Sequence, residues 1–282
     1  MKGRKQKKSS RKWLRFVLYC AVAVILFCAG CALVYKSTNK TKVTLSVPTP
    51  APTTFLDSNS ASFMNSSHIP DVNNNRGIST ISPMFVSYRW TSGDYAPAFK
   101  MNLTSSDVAH DIKMTPYVRG TWSIRDSNTV AFTPESDWLP DTKYTVNIGK
   151  KLFNDDVQPN SRSVSFTTPK LSATIDSFNI YPDPSHERMV VGVAVVSFNY
   201  PIETNDFADR VSVKLGLHRI KFSVRFDRFN RTAIITTDPI HVDDEAHTLR
   251  LKINSINSAN TSTTTKKVNA STTIESIDNF FK

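Results

Sequence analysis

Cysteine is nearly absent from this chain, and the three present, Cys20, Cys28 and Cys31, all fall within its first 31 residues. The body that follows can form no disulfide, so its stability has to come from packed apolar cores. Glycine is scarce too, eight in 282 residues, and there is no Gly-rich phosphate loop, Walker sequence or Gly-x-Ser-x-Gly elbow. His68, His110, His186, His218, His241 and His247 are scattered, without a His-Glu-x-x-His pair. The densest set of potential metal ligands, His241, Asp243, Asp244, Glu245 and His247, lies between two predicted strands and reads as a hydrated polar loop. Asp155-Asp156 and Asp243-Asp244 are sequence neighbours in turn regions, where adjacent side chains of an extended chain point apart, so neither pair suggests a catalytic dyad. No catalytic residue, cofactor, metal or small-molecule substrate is expected, and the chain does not read as an enzyme.

Acidic residues are missing from the first 56 positions, while nine of the 35 Lys and Arg lie in the first 36. The remaining 26 bases face all 24 acids, so the formal charge of +11 belongs to the amino-terminal segment. A body balanced to +2 offers no broad phosphate-binding stripe, and nucleic acid is excluded as a partner on that ground. The basic segment, residues 1–15, precedes Phe16 to Tyr35, twenty residues without a charge. As a helix this run would span about 30 Å, the thickness of a bilayer core. Phe16, Leu18, Ile25, Leu33 and Tyr35 are its candidate anchor residues, and the basic flank predicts a cytoplasmic amino terminus with everything after Lys36 exported. Cys31 follows Ala29-Gly30 in the manner of a lipoprotein processing site, but Cys28 stands where Leu is usual. The apolar run continuing through Tyr35 favours a retained transmembrane anchor over lipidation at Cys31.

Residues 36–80 are rich in Ser, Thr, Asn and Pro and are expected to form a linker that lifts the first domain from the membrane. Beyond it, short runs alternate with period 2 and are bounded by Asp, Asn, Pro or Gly. Val130 and Phe132 share one face, as do Tyr144, Val146 and Ile148, and Val164 and Phe166. Met189 to Val196 is apolar on both faces, the pattern of a central covered strand. No stretch after the anchor shows sustained helical periodicity with caps, so an all-β body is expected. It divides into one sandwich over 81–169 and a second over 170–256. Residues 257–282 read as a polar tail, either the opening of a third domain or a short apolar end, and proteolytic nicking is expected in the linker and in 257–273.

Gly120-Thr121-Trp122, Phe132-Thr133-Pro134, Asp137-Trp138, Thr142 to Val146 and Phe166 to Pro169 occur in an order and spacing that resemble the amino-terminal region of bacterial alpha-2-macroglobulins. The resemblance runs over roughly residues 80 to 256 and includes Phe178, Tyr181 to Pro184, Phe198 and Phe207. It implies tandem macroglobulin-type, Ig-like β-sandwiches in a bacterial envelope protein, anchored in the inner membrane with its domains in the periplasm. Proteases are then partners only of a full-length molecule, since no Cys-x-Glu-Gln thioester motif occurs here and no residue is assigned to protease capture. Trp122, Phe132, Trp138, Tyr144 and Phe166 are expected to be structural, packed in the core rather than binding a ligand. An Ig-like adhesion or partner-binding module, and the stalk of an envelope enzyme, remain the alternatives.

Overall fold

Alternating apolar positions close into two β-sandwiches, each with its own core, in the computed structural model, which describes residues 6–38, 40–50, 54–56, 78–93 and 95–280. Ahead of them runs a helix, α1 (Gln6–Thr38). Its Phe16, Leu18 and Ile25 are exposed, as is Cys31. Leu33 and Tyr35 fall outside the residues whose side chains are described. Among the described residues no helix is long and apolar enough to cross a membrane; on α1 the described side chains cover only 15–31 and Val34. Among the described residues, none of α1 belongs to either core.

The first sandwich comprises β1 (Thr41–Ser46), β2 (Thr54–Leu56), β3 (Ile78–Thr80), β4 (Met84–Ser92), α2 (Ser105–Asp111), β5 (Ile112–Thr115), β6 (Gly120–Asp126), β7 (Thr129–Pro134), β8 (Lys143–Ile148), β9 (Val157–Pro159) and β10 (Ser163–Thr167). A five-stranded sheet in the order β6-β7-β4-β1-β9 faces a three-stranded sheet in the order β10-β8-β5, while β2 and β3 pair apart from both. Val43, Val86, Val130 and Phe132 from the larger sheet meet Tyr144, Val146 and Phe166 from the smaller one. This is the facing-sheet solution for strands with one apolar side.

Two expectations need correction here. The 36–80 segment is not a linker throughout, because β1 lies inside the five-stranded sheet, antiparallel to β4 and parallel to β9, with Thr41 and Val43 buried. The sandwich therefore starts at β1 rather than at residue 81. Thr-Lys-Val-Thr-Leu-Ser alternates correctly, but its polar, hydroxyl-rich surroundings masked a six-residue strand. The rest of the expected linker, 51–53 and 57–77, lies outside the described residues. Nor is the body strandlike everywhere, for α2 is a capped helix. The Thr104 hydroxyl accepts from the Asp107 amide at 3.2 Å, and the Asp107 carboxylate accepts from the Thr104 amide at 2.8 Å. This reciprocal capping box offsets the weak periodicity of a seven-residue helix whose one buried side chain is Val108.

The cap also carries a pH dependence. The Thr104 side-chain hydrogen bond, aided by the Thr104 amide, holds Asp107 below the ordinary value of 3.8. A carboxylate depressed by folding contributes fully above the unfolded value, and that contribution is lost as pH falls through the lower folded one. Asp107→Asn should therefore show a shallower loss of stability than the parent between about pH 5 and about pH 2 in urea titrations. Equal slopes would show that the box does not couple to folding.

The second sandwich comprises β11 (Ala173–Pro182), β12 (Met189–Phe198), β13 (Val211–Leu215), β14 (His218–Ile220), β15 (Phe222–Phe226), β16 (Thr232–Thr237), β17 (Ile240–His241), β18 (His247–Ile253) and β19 (Val268–Ile274), followed by a short helix, α3 (Ile277–Phe280). One sheet runs β11-β12-β16-β15, with β17 also on β12; the other runs β14-β13-β18-β19. As its sequence indicates, β12 is central and buried on both sides over Val190 to Ala194: Val190 and Ala194 enter the main core, and Val191 and Val193 pack with Ile234 on the opposite face. The polar tail reading of 257–282 is corrected by β19, which pairs with β18 from Val268 to Ile274 and buries Ile274. Its alternating residues are mostly Ser, Thr and Asn, so its outward side gives no apolar signal. Cleavage expected across 257–273 loses its basis from Val268 onward, where the backbone is held in a ladder.

Candidate functional site

The corner between β7 and β8, which holds Asp137 and Trp138, sits at the boundary of the two cores and faces both. Trp138 turns inward. Its ring touches Phe132 of the larger sheet at 6.0 Å between centroids, and Tyr144 and Phe166 of the smaller sheet at 5.2 and 5.8 Å. Trp122 pairs with Phe132 across β6 and β7, and Tyr144 with Phe166 across β8 and β10, so one indole joins two cross-strand aromatic pairs. All five rings are buried, and the indole N–H donates to the Ser82 carbonyl at 3.0 Å. Gly120 opens the Trp122 strand because a Cβ there would collide with the Thr133 carbonyl and the Phe132 ring.

Thr168, at the exit from the first sandwich, ties this corner shut. Its hydroxyl donates to the Leu139 carbonyl and accepts from the Thr142 amide, and its own amide donates to the Thr142 carbonyl. Burial raises the Tyr144 phenol, while the Leu139 amide that donates to its oxygen at 3.3 Å pulls the other way.

Asp137 turns outward, to the second sandwich. Its Oδ1 lies 2.7 Å from a guanidinium nitrogen of Arg231, whose side chain is only 2% exposed against 21% for Asp137. The turn between β15 and β16 aims the arginine: Asn230 adopts φ 54°, and the Asp227 carboxylate accepts from the amides of Arg231 and Thr232. Arg231 also donates to the Asn199 carbonyl at 2.7 Å. Asn199 in turn holds the connecting segment, donating to the Lys170 carbonyl and accepting from the Ser172 amide. Tyr200 is buried beside this pair. Burial pushes its phenol up to about 12, with the Thr168 hydroxyl and the Arg231 charge opposing the rise. The cost of taking the guanidinium out of water offsets much of the attraction in such a pair, so its net contribution to stability is small even though breaking it from one side is costly.

Residues 97–168, the portion of the first sandwich that ends at this joint, match the family described as a bacterial Ig-like domain. Over 173 residues the chain is 25% identical to the alpha-2-macroglobulin of Pasteurella multocida, a match covering 57% of this chain and 9% of that protein. It is 26% identical over 154 residues to an alpha-2-macroglobulin homolog of Yersinia pestis, covering 52% and 8%, and 26% identical over 159 residues to the alpha-2-macroglobulin of Rickettsia conorii, covering 56% and 8%. Over about half its length the chain is similar to the amino acid sequences of bacterial alpha-2-macroglobulins.

The alpha-2-macroglobulin-like motifs thus meet in one place: Trp122, Phe132, Trp138, Tyr144 and Phe166 make the aromatic end of the first core, and Asp137 makes the joint. Arg231 and Asn199 carry no signal in the sequence, each being a lone polar residue beside a strand end, whereas Thr168 lies within the Phe166 to Pro169 motif. The His241 to His247 group does not assemble into a ligand set. His247 pairs with Asp243 at 2.9 Å, a hydrogen bond that holds Asp243 below the ordinary carboxylate range, and His241 takes no part. Among the described residues no group of three or more His, Cys, Asp or Glu could hold a metal ion.

Proposed function

We propose that this chain acts as the membrane-tethered amino-terminal scaffold of an alpha-2-macroglobulin-like envelope protein, holding two Ig-like sandwiches in a fixed relation for whatever they carry. The buried Asp137–Arg231 pair carries the reading, because it is a rigid joint rather than a binding cleft or a catalytic constellation. The matched segments amount to less than a tenth of each relative, so protease trapping is a property of the larger molecule in this proposal. No cysteine follows Cys31, so the sandwiches themselves can build no thioester.

The basic flank and the uncharged run Phe16 to Tyr35 support tethering through α1, with the amino terminus in the cytoplasm and the sandwiches in the periplasm. The apolar continuation past Cys31 supports retention of the anchor over lipidation. Reporter fusions placed after Lys40 should be active only on the exported side of the inner membrane. Cytoplasmic activity at that position would overturn both the anchor and the envelope role.

A further inference from the structure

The outer face of the β14-β13-β18-β19 sheet collects cations that the sequence scatters. Lys214 stands directly across from Arg219 on one side and Arg250 on the other, and Lys252 follows two residues along β18. All four are exposed, and among the described residues none of them takes part in an ion pair. The rest of the face is Ser212, Thr248, Asn269, Ser271 and Thr273, and the four strands contain no Asp or Glu. This segregation is not a matter of net charge, because residues 170–282 hold 14 bases and 13 acids. Like charges placed directly opposite one another disfavour the folded sheet, so the arrangement is relieved by an anionic surface laid against it.

The hairpin tip beside this face identifies that surface. Gly216, at φ 58°, turns the chain between β13 and β14 and leaves Leu217 95% exposed, next to His218 and Arg219. A bare leucine adds nothing to contact with a soluble polyanion, and the face presents no aromatic ring for stacking nucleic-acid bases. An apolar tip beside a row of cations suits the headgroup boundary of an anionic bilayer, where the bases meet phosphate and the leucine enters the acyl region. We propose that the β13–β14 hairpin and the Lys214, Arg219, Arg250 and Lys252 face form a peripheral docking site for anionic phospholipid membrane, separate from α1.

Since no described residue of α1 belongs to either core, the fragment 40–282 retains both clusters and isolates this site from the tether. It should cosediment with vesicles of phosphatidylcholine containing phosphatidylglycerol at low salt, release at high salt, and ignore vesicles of phosphatidylcholine alone. Lys214→Glu/Arg250→Glu should weaken binding roughly tenfold or more. Leu217→Ser should weaken it several-fold while leaving the thermal midpoint unchanged. If the charge-reversed pair fails to fold, Lys214→Gln/Arg250→Gln takes its place. No binding to anionic vesicles at low salt, or equal binding to neutral ones, overturns the proposal. So does tight binding to polyglutamate or heparin that Leu217→Ser does not alter, which would assign the face to an acidic polymer. None of these outcomes bears on the topology of α1, which the reporter fusions test by themselves.

Discussion

Trp138→Ala should destabilise the first sandwich by roughly 3 to 5 kcal/mol, the range for losing a fully buried large aromatic. The ring is 3% exposed and is the contact through which Phe132 of one sheet meets Tyr144 and Phe166 of the other. Truncation leaves a cavity between two sheets that cannot both collapse into it, and it strands the Ser82 carbonyl that accepted from the indole. Trp138→Phe should cost less, keeping much of the apolar volume while losing the N–H donor. Urea unfolding followed by circular dichroism measures both. An unchanged midpoint for the alanine variant would mean that the corner is a surface feature and would reopen a ligand role for this tryptophan.

Asp137→Ala should cost nearly as much, by another route. Arg231 stays buried with its carboxylate partner removed, and breaking a buried pair from one side costs roughly 3 to 5 kcal/mol. The lower end is expected because Asp137 is itself 21% exposed, so water can replace some of what it supplied. Adding Arg231→Met should recover much of the loss, since a flexible thioether side chain needs no counter-charge. A double-mutant cycle on the 40–282 fragment separates this coupling from the two single effects. The pair also joins two cores, so Asp137→Ala should split one calorimetric transition into two. A double variant no more stable than Asp137→Ala, with a single transition retained, would rule out the joint as the link between the sandwiches.

The residues legible in the sequence are those whose role is local. Val130, Phe132, Tyr144, Val146 and Phe166 alternate in the runs that become β7, β8 and β10. The central position of β12 could likewise be read from an apolar stretch too long for one face. Asp137 and Trp138 stood out as a motif, although nothing in their spacing says that one faces its own core and the other the next domain. β1 and β19 were hidden by composition, since Thr and Ser serve on a strand's outward side as readily as in a loop. Arg231 is silent in sequence because its partner lies 94 positions earlier, in another sandwich. The cationic face is silent for a related reason: Lys214, Arg219, Arg250 and Lys252 become neighbours only through the register of three strands. Long-range pairing of that kind is set by the whole packing arrangement, and no window of sequence contains it.

The interior position of β1 has a mechanical consequence. This strand begins three residues after the end of α1 and is bonded along both edges, to β4 on one side and β9 on the other. Tension transmitted through α1 along the axis of β1 is a shearing load. The backbone hydrogen bonds lie across that direction, so they must yield together rather than open singly from an end. A pull entering the body at β1 would therefore be shared across a whole sheet.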